Sequence, residues 1–174
     1  LSPSAGAPAP AGALALFDGA ATEHLGQGSA DSRGLLAVPA RSAEPHADIM
    51  LHVEVRTPFM PGASGQGRGN SGVYLQGRYE VQVLDSFGLP PDPRGAGAIY
   101  EVFPPRVNMS YPPLQWQTYD ITLVDRHVTV ILNGEKVIDN KPVTGPTAGA
   151  VYTNPAEPGP IYLQGDHTNV SYRD

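Results

Sequence analysis

Apolar and polar residues alternate along most of this chain with a period of two. The clearest stretch is residues 48–56. Ile49, Leu51, Val53 and Val55 fall on one side of it, and Met50, His52, Glu54 and Arg56 on the other. That is the pattern of a half-buried antiparallel strand. Further short apolar or alternating runs occupy residues 14–17, 34–39, 71–76, 79–85, 98–103 and 114–124. Residues 127–139 read as a hairpin, because Asn133 and Gly134 stand between two alternating arms. Two last runs lie at residues 160–165 and 169–173. No long stretch free of glycine and proline shows a 3.6-residue period, so helix is not expected. About ten short strands joined by turns predict an all-β fold, a sandwich or jelly roll of two antiparallel sheets.

Composition sharpens this picture. The 174 residues include 20 glycines and 19 prolines, and charged residues make up only 16%. The hydrophobic fraction of 40% suffices for one core. The net charge is −6 and no basic patch is visible, which argues against nucleic-acid binding. No apolar run is long enough to span a bilayer. Cysteine is absent, which excludes disulfides, thiolate metal sites and a cysteine nucleophile. Residues 1–12 are uncharged and rich in Ala, Pro, Gly and Ser. They read as a linker, or as the stub left when a signal peptide is removed, so export to the periplasm or the cell exterior is expected. Such an arm also offers a contact for a second copy of the chain. The remaining residues, 13–174, form one expected domain.

The hairpin of residues 71–85 carries the candidate chemistry. A three-residue loop, 76–78, would set Tyr74 opposite Glu80, Val73 opposite Val81 and Ser71 opposite Val83. The valines then share one face, and Tyr74, Glu80, Gln82 and Gly72 share the other. A two-residue loop would mix the faces. A carboxylate and an amide about 7 Å apart on one strand face can contact one sugar ring, and Gly72 leaves room for a ligand to approach the backbone. The loop before this hairpin carries Arg68 and Asn70 among glycines. It does not lead into a helix, so a nucleotide-phosphate cradle is not supported. Among five histidines, His167 stands out beside Asp166, as a base or a ligand. No histidine spacing supports a dedicated zinc site. A hard divalent cation held by carboxylates and carbonyls stays open as a cofactor.

Several stretches together resemble the 3-keto-disaccharide hydrolase domain family. They are LFDG at residues 16–19, GQGRGNSGVYLQGRYEVQVLDSFG at 65–88, GAIY at 97–100, VNM at 107–109, PPLQWQTYDI at 112–121, and the closing LQGDH with its later Tyr-Arg pair. The resemblance spans roughly residues 13–174. It implies a bacterial, exported protein with a concanavalin-like jelly roll, acting on a sugar. The implied reaction cleaves glycosides already oxidised to a ketone at C3. That ketone acidifies the C2 proton, so a base removes it and the C1 substituent is expelled. Such chemistry needs one base, an acid for the leaving oxygen, and donors for the enolate. Under this resemblance Glu80 and His167 are the catalytic candidates. Arg68, Asn70, Tyr74, Gln82, Gln164 and Asp166 are the substrate-binding ones. The chain departs from the family where Gly95-Ala96 and Ser110 replace its usual residues, and where the tryptophan-bearing segment after LFDG is missing. Two other readings of the same sandwich remain: a non-catalytic carbohydrate-binding module, and a structural or self-assembling extracellular protein.

Overall fold

The computed structural model describes residues 1–173. Asp174, the last residue of the expected domain, lies outside the described residues. The described residues form ten strands and one 3-10 turn, Gly65–Gly67. The strands are β1 (Leu25–Ala30), β2 (Leu36–Ser42), β3 (Ile49–Arg56), β4 (Asn70–Leu75), β5 (Tyr79–Leu84), β6 (Gln117–Val124), β7 (His127–Leu132), β8 (Glu135–Pro142), β9 (Tyr162–Leu163) and β10 (Ser171–Arg173). Their hydrogen-bonded order is β5-β4-β9-β2-β10-β3-β6-β7-β8, with β1 also on β2. Every pairing is antiparallel.

This path curls over itself into a jelly roll. β2 joins the two layers: Leu36 pairs with β10, while Ala40 and Arg41 pair with β9. The apolar positions of β3, β6 and β7 then meet those of β4 and β5 in one core. Val53, Val55, Ile121, Val128, Val130 and Leu132 come from the first layer. Val73, Leu75, Val81 and Val83 come from the second. Tyr119 on β6 reaches across, and its hydroxyl donates to the Gln82 carbonyl of β5 at 3.2 Å. That bond satisfies a hydroxyl that is otherwise wholly buried.

The predicted hairpin at Asn133 and Gly134 is present. Both residues have positive φ, 53° and 84°, as a two-residue turn matched to strand twist requires. The Asn133 side chain also closes the turn, accepting from Thr118 N at 3.0 Å and donating to Met109 O at 2.8 Å. Three sequence expectations change. Residues 14–17 form no strand, although Phe17 is buried in the core. Residues 98–103 fold as a turn rather than a strand, because Gly97 and Glu101 adopt φ of 79° and 60° and bend the chain. The backbone of residues 97–100 still covers the free edge of β5. Gln82 N donates to Ala98 O, and Tyr100 N to Glu80 O, each at 3.0 Å. β1 was not legible as a strand because its glycine- and serine-bearing sequence is mostly exposed and lacks alternation.

Residues 1–6 turn across the non-core face of β3 and β6. Ser2 meets the Thr118 hydroxyl, Ser4 donates to Asp120 at 2.9 Å, and Gly6 N donates to Glu54. Glu54 is fully buried there and also accepts from Arg173 at 2.7 Å. The guanidiniums of Arg56 and Arg173 stand over the Trp116 ring, 4.8 and 4.2 Å from its centre.

The alternation on the strands makes a direct prediction. Leu132→Ala, at a fully buried position, should lower unfolding free energy by about 3 kcal/mol. Met50→Ala, on the polar side of β3 and 87% exposed, should change it by less than about 0.5 kcal/mol. Chemical denaturation of the two variants reads both values.

Candidate functional site

The β4–β5 register is the one that the three-residue loop requires. Tyr74 pairs with Glu80, Val73 with Val81, Gly72 with Gln82 and Ser71 with Val83. β9 extends the same layer, with Val73 opposite Leu163 and Tyr74 opposite Tyr162. Gln164 N donates to Gly72 O at 3.0 Å. Two cross-strand rows therefore stand on the face turned away from the core: Tyr162–Tyr74–Glu80 and Gln164–Gly72–Gln82.

Gly72 is the gap in the second row that the first row fills. A Cβ at this position would overlap Glu80 Oε1. The carboxylate lies over the glycine, and its other oxygen accepts from the Tyr74 hydroxyl at 2.9 Å. The same hydroxyl is 3.1 Å from Ala148 O. The Tyr74 ring packs against Tyr162 with centroids 5.5 Å apart. Glu80 is only 4% exposed and forms no ion pair among the described residues.

Burial without a cation pushes the Glu80 carboxyl up to about 7. The Tyr74 hydrogen bond opposes the rise, and the negative charges of Asp166 and Glu101 add to it. Burial and the same carboxylate push the Tyr74 hydroxyl well above its ordinary value, so it stays a donor at neutral pH. Glu80 is thus a buried group that exchanges a proton near neutrality, the property required of a general base or acid.

The amide row supplies orientation. Gln82 Nε2 donates to Gln66 Oε1 at 2.9 Å and lies 3.3 Å from Arg94 O. Asn70 Nδ2 donates to Gln66 O at 2.9 Å. The side-chain oxygens of Gln82 and Gln164 are both buried without a hydrogen-bond partner. Two unfilled acceptors flanking Gly72 suit a ligand that brings hydroxyl donors. An open cleft of about 480 Å³, lined by Asp92, Pro93, Arg94 and Glu101, adjoins this row through the Arg94 carbonyl.

Tyr74, Glu80, Gln82 and Gln164 are thus brought together, and Asn70 joins them through Gln66. Asp166 is exposed, yet near enough to raise Glu80. His167 is exposed beside it, its Nε2 3.9 Å from Asp166 Oδ1, and no described contact joins it to Glu80. Arg68 lies apart: its Nε donates to Ala63 O at 3.3 Å, and it lines a separate slot with Asp85. Three participants escaped the sequence reading. Tyr162 had a legible signal, since it sits two residues before Gln164 as Glu80 does before Gln82. Gln66 and Glu101 had none, because loop and turn geometry alone bring them in. No group of three or more His, Asp or Glu side chains converges as a cation site among the described residues.

A family model described as 3-keto-alpha-glucoside-1,2-lyase-like domain matches residues 12–174. No curated protein matches the chain. Three solved structures from Parabacteroides distasonis ATCC 8503, each provisionally named a glycosyl hydrolase, are similar to it. One is 30% identical, with a TM-score of 0.79, covering 95% of this chain and 82% of its own. A second is 22% identical, with a TM-score of 0.62 and coverage of 88% and 92%. A third is 17% identical, with a TM-score of 0.67 and coverage of 90% and 88%. The last two likenesses concern the fold alone.

The raised Glu80 carboxyl fixes the sign of a pH effect. Unfolded glutamate titrates near 4.3, so between about 4.3 and 7 the folded protein holds the extra proton. This contribution to stability is complete below that window and is lost as pH rises through 7. Glu80→Gln keeps an acceptor for Tyr74 and carries no charge. Its thermal midpoint should exceed that of the wild type at pH 8 and match it near pH 4. A difference that does not vary with pH would show Glu80 titrating as an ordinary carboxylate. Gly72→Ala should cost about 1–3 kcal/mol, because the carboxylate must leave its place, and it should erase the pH-dependent part of that difference.

Proposed function

Because the chain belongs to the 3-keto-alpha-glucoside-1,2-lyase-like domain family and is a carbohydrate-active protein, we propose that it cleaves 3-keto-glycosides with Glu80 as the base. The observation that carries this reading is a single buried carboxyl, raised to about 7, set over a glycine and held by a tyrosine. Ordinary glycosidases place two carboxylates across the scissile bond. Elimination from a 3-keto sugar asks instead for one base tuned close to the working pH.

In this mechanism ionised Glu80 takes the proton from C2. The C–H electron pair moves to form the C2–C3 enolate, and the charge develops on the C3 oxygen. The Tyr74 hydroxyl holds the second oxygen of Glu80 and fixes the carboxylate plane. Gln82, aligned by Gln66, turns its amide towards the sugar hydroxyls. The enolate then re-forms the ketone, a C1–C2 double bond appears, and the C1–O bond breaks with its electron pair on the leaving oxygen. The proton for that oxygen is assigned to His167, which is exposed beside Asp166. Water adding across the double bond completes a net hydrolysis. Without that addition the reaction is a lyase step.

A second reading has one observation in its favour. Glu80 is 4% exposed and Ala148 and Gly149 lie over Tyr74, as suits a sugar-binding face that does not turn over.

Three outcomes test the proposal. A 3-keto-glucoside with a chromogenic leaving group should release its aglycone, and Glu80→Gln should lower kcat at least about a hundredfold. Sugar-dependent thermal stabilisation without release would establish the binding reading instead. For the 4-nitrophenyl substrate, whose leaving group needs no proton, kcat/KM should rise with pH through about 7 as Glu80 ionises; a fall through the same range would make Glu80 the acid. His167→Asn should slow release of an alkyl alcohol far more than release of 4-nitrophenolate, which leaves without a proton. Equal slowing of both would remove His167 from the acid role.

A further inference from the structure

A slot of about 130 Å³ opens beyond the end of β5. Phe59, Met60 and Pro61 from the β3–β4 loop form one side, and Phe87 and Pro113 the other. Arg68 and Asp85 complete its lining. Asp85 stands five residues beyond Glu80, about 16 Å along an extended chain, so this place is distinct from the Glu80 face.

Three features make it a built site. First, Phe59 and Phe87 are 62% and 50% exposed. Two phenyl rings turned to water around one concavity are costly unless something covers them. Second, Asp85 is 4% exposed, and its Oδ1 is buried without a hydrogen-bond partner. Such an atom in a native fold calls for a ligand or an ordered water. Arg68 faces the same slot, yet no ion pair closes between the two. Third, the walls are fixed in advance. Asn108 Nδ2 donates to both Ser86 O and Leu89 O, at 2.6 and 2.8 Å, and clamps the turn that carries Phe87. Asp85 N donates to Gly69 O at 2.8 Å, and Arg68 N to Gly65 O at 3.2 Å.

The charges decide which chemistry fits. A cation would be drawn to Asp85 and repelled by Arg68. An anion would meet the opposite pair of effects. An apolar ring would cover the phenyls and leave Asp85 desolvated and unpaired, at a cost of roughly 1–3 kcal/mol. A neutral ring with apolar faces and neighbouring hydroxyls satisfies all of them. One hydroxyl donates to Asp85, another accepts from Arg68, and the C–H faces lie on the phenyl rings. The volume admits about one such ring. We infer that the Phe59–Phe87 slot is a second saccharide subsite, which holds one unoxidised pyranose unit away from the Glu80 face. The inference stands on the chemistry of the slot and does not need turnover at Glu80.

Methyl α-D-glucopyranoside is the probe, since it carries no ketone and is not consumed. The sequence has four phenylalanines, so ring-labelled protein gives four resolvable sets of NMR signals. Titration of the Glu80→Gln protein should shift Phe59 and Phe87 and leave buried Phe17 in place. Phe87→Ala, at an exposed position that does not support the core, should weaken the response at least about tenfold, as should Asp85→Asn. Should Asp85→Asn fail to fold, Arg68→Met takes its place with the same expected loss. Absence of shifts at Phe59 and Phe87 would overturn the inference. So would shifts that survive Phe87→Ala, or shifts produced equally by guanidinium chloride or sodium sulfate. If the probe binds while 3-keto-glucosides are not cleaved, the slot stands and the mechanism falls; cleavage without probe binding has the reverse meaning.

Discussion

The register between β4 and β5 is the constraint on which the rest of this molecule depends. Val73 against Val81 and Ser71 against Val83 put the apolar side of the hairpin into the core. A slip of one residue would exchange the faces of β5, turning Glu80 and Gln82 into the core and Val81 and Val83 to the outer face. The loop enforces the choice locally, since Gln76 and Gly77 both take positive φ, 53° and 63°. The opposite layer enforces it again, because the Tyr119 hydroxyl finds the Gln82 carbonyl only in this alignment. Core packing and site geometry are therefore one decision.

That decision is coupled to the cover of the site. Arg78, in the hairpin loop, is fully buried and has no carboxylate partner among its hydrogen bonds. Its guanidinium holds Gln76 Oε1 at 2.8 Å and the carbonyl of Glu157. Its own carbonyl accepts from both the backbone and the hydroxyl of Thr147. Thr147 in turn accepts from Glu80 N at 3.0 Å. The segment that passes over Tyr74 is thus stapled to the strand that carries Glu80. Movement of one is felt by the other, and the carboxylate keeps its dry surroundings only while the segment stays down.

The two rows on the β9-β4-β5 face divide the work physically. The tyrosine row lowers the local dielectric and supplies one donor, which keeps Glu80 both protonatable and fixed in direction. The amide row holds two buried side-chain acceptors, on Gln82 and Gln164, that have no hydrogen-bond partner. The outer face of the other layer uses polar residues differently. Glu54, Asp120, Arg173 and Trp116 there are engaged with one another and with residues 2–6. Polar side chains on a strand are thus not in themselves a site. On that face the carboxylates Glu54 and Asp120 already accept from Arg173, Gly6 and Ser4, whereas Glu80 has the Tyr74 hydroxyl and no cation.

Much of this was legible in the sequence, for a physical reason. Strand alternation has a period of two, and hairpin register follows from face matching over a few residues, so β3, the β4–β5 pairing and the Asn133–Gly134 turn could be read locally. The same logic placed Tyr74, Glu80, Gln82 and Gly72 on one surface. Gln66, Glu101 and Tyr162 were not found as members of the site, nor was the separation of Arg68 from Glu80 foreseen. These depend on where loops and remote strands return. The pairing of β9 with β4 joins residues about ninety positions apart, and no local pattern encodes it. The sequence by itself determined which residues share a strand face. Only the tertiary structure decided which of those faces is dry, because desolvation is set by what the rest of the chain lays over it, and it is desolvation that moves Glu80 towards neutral pH.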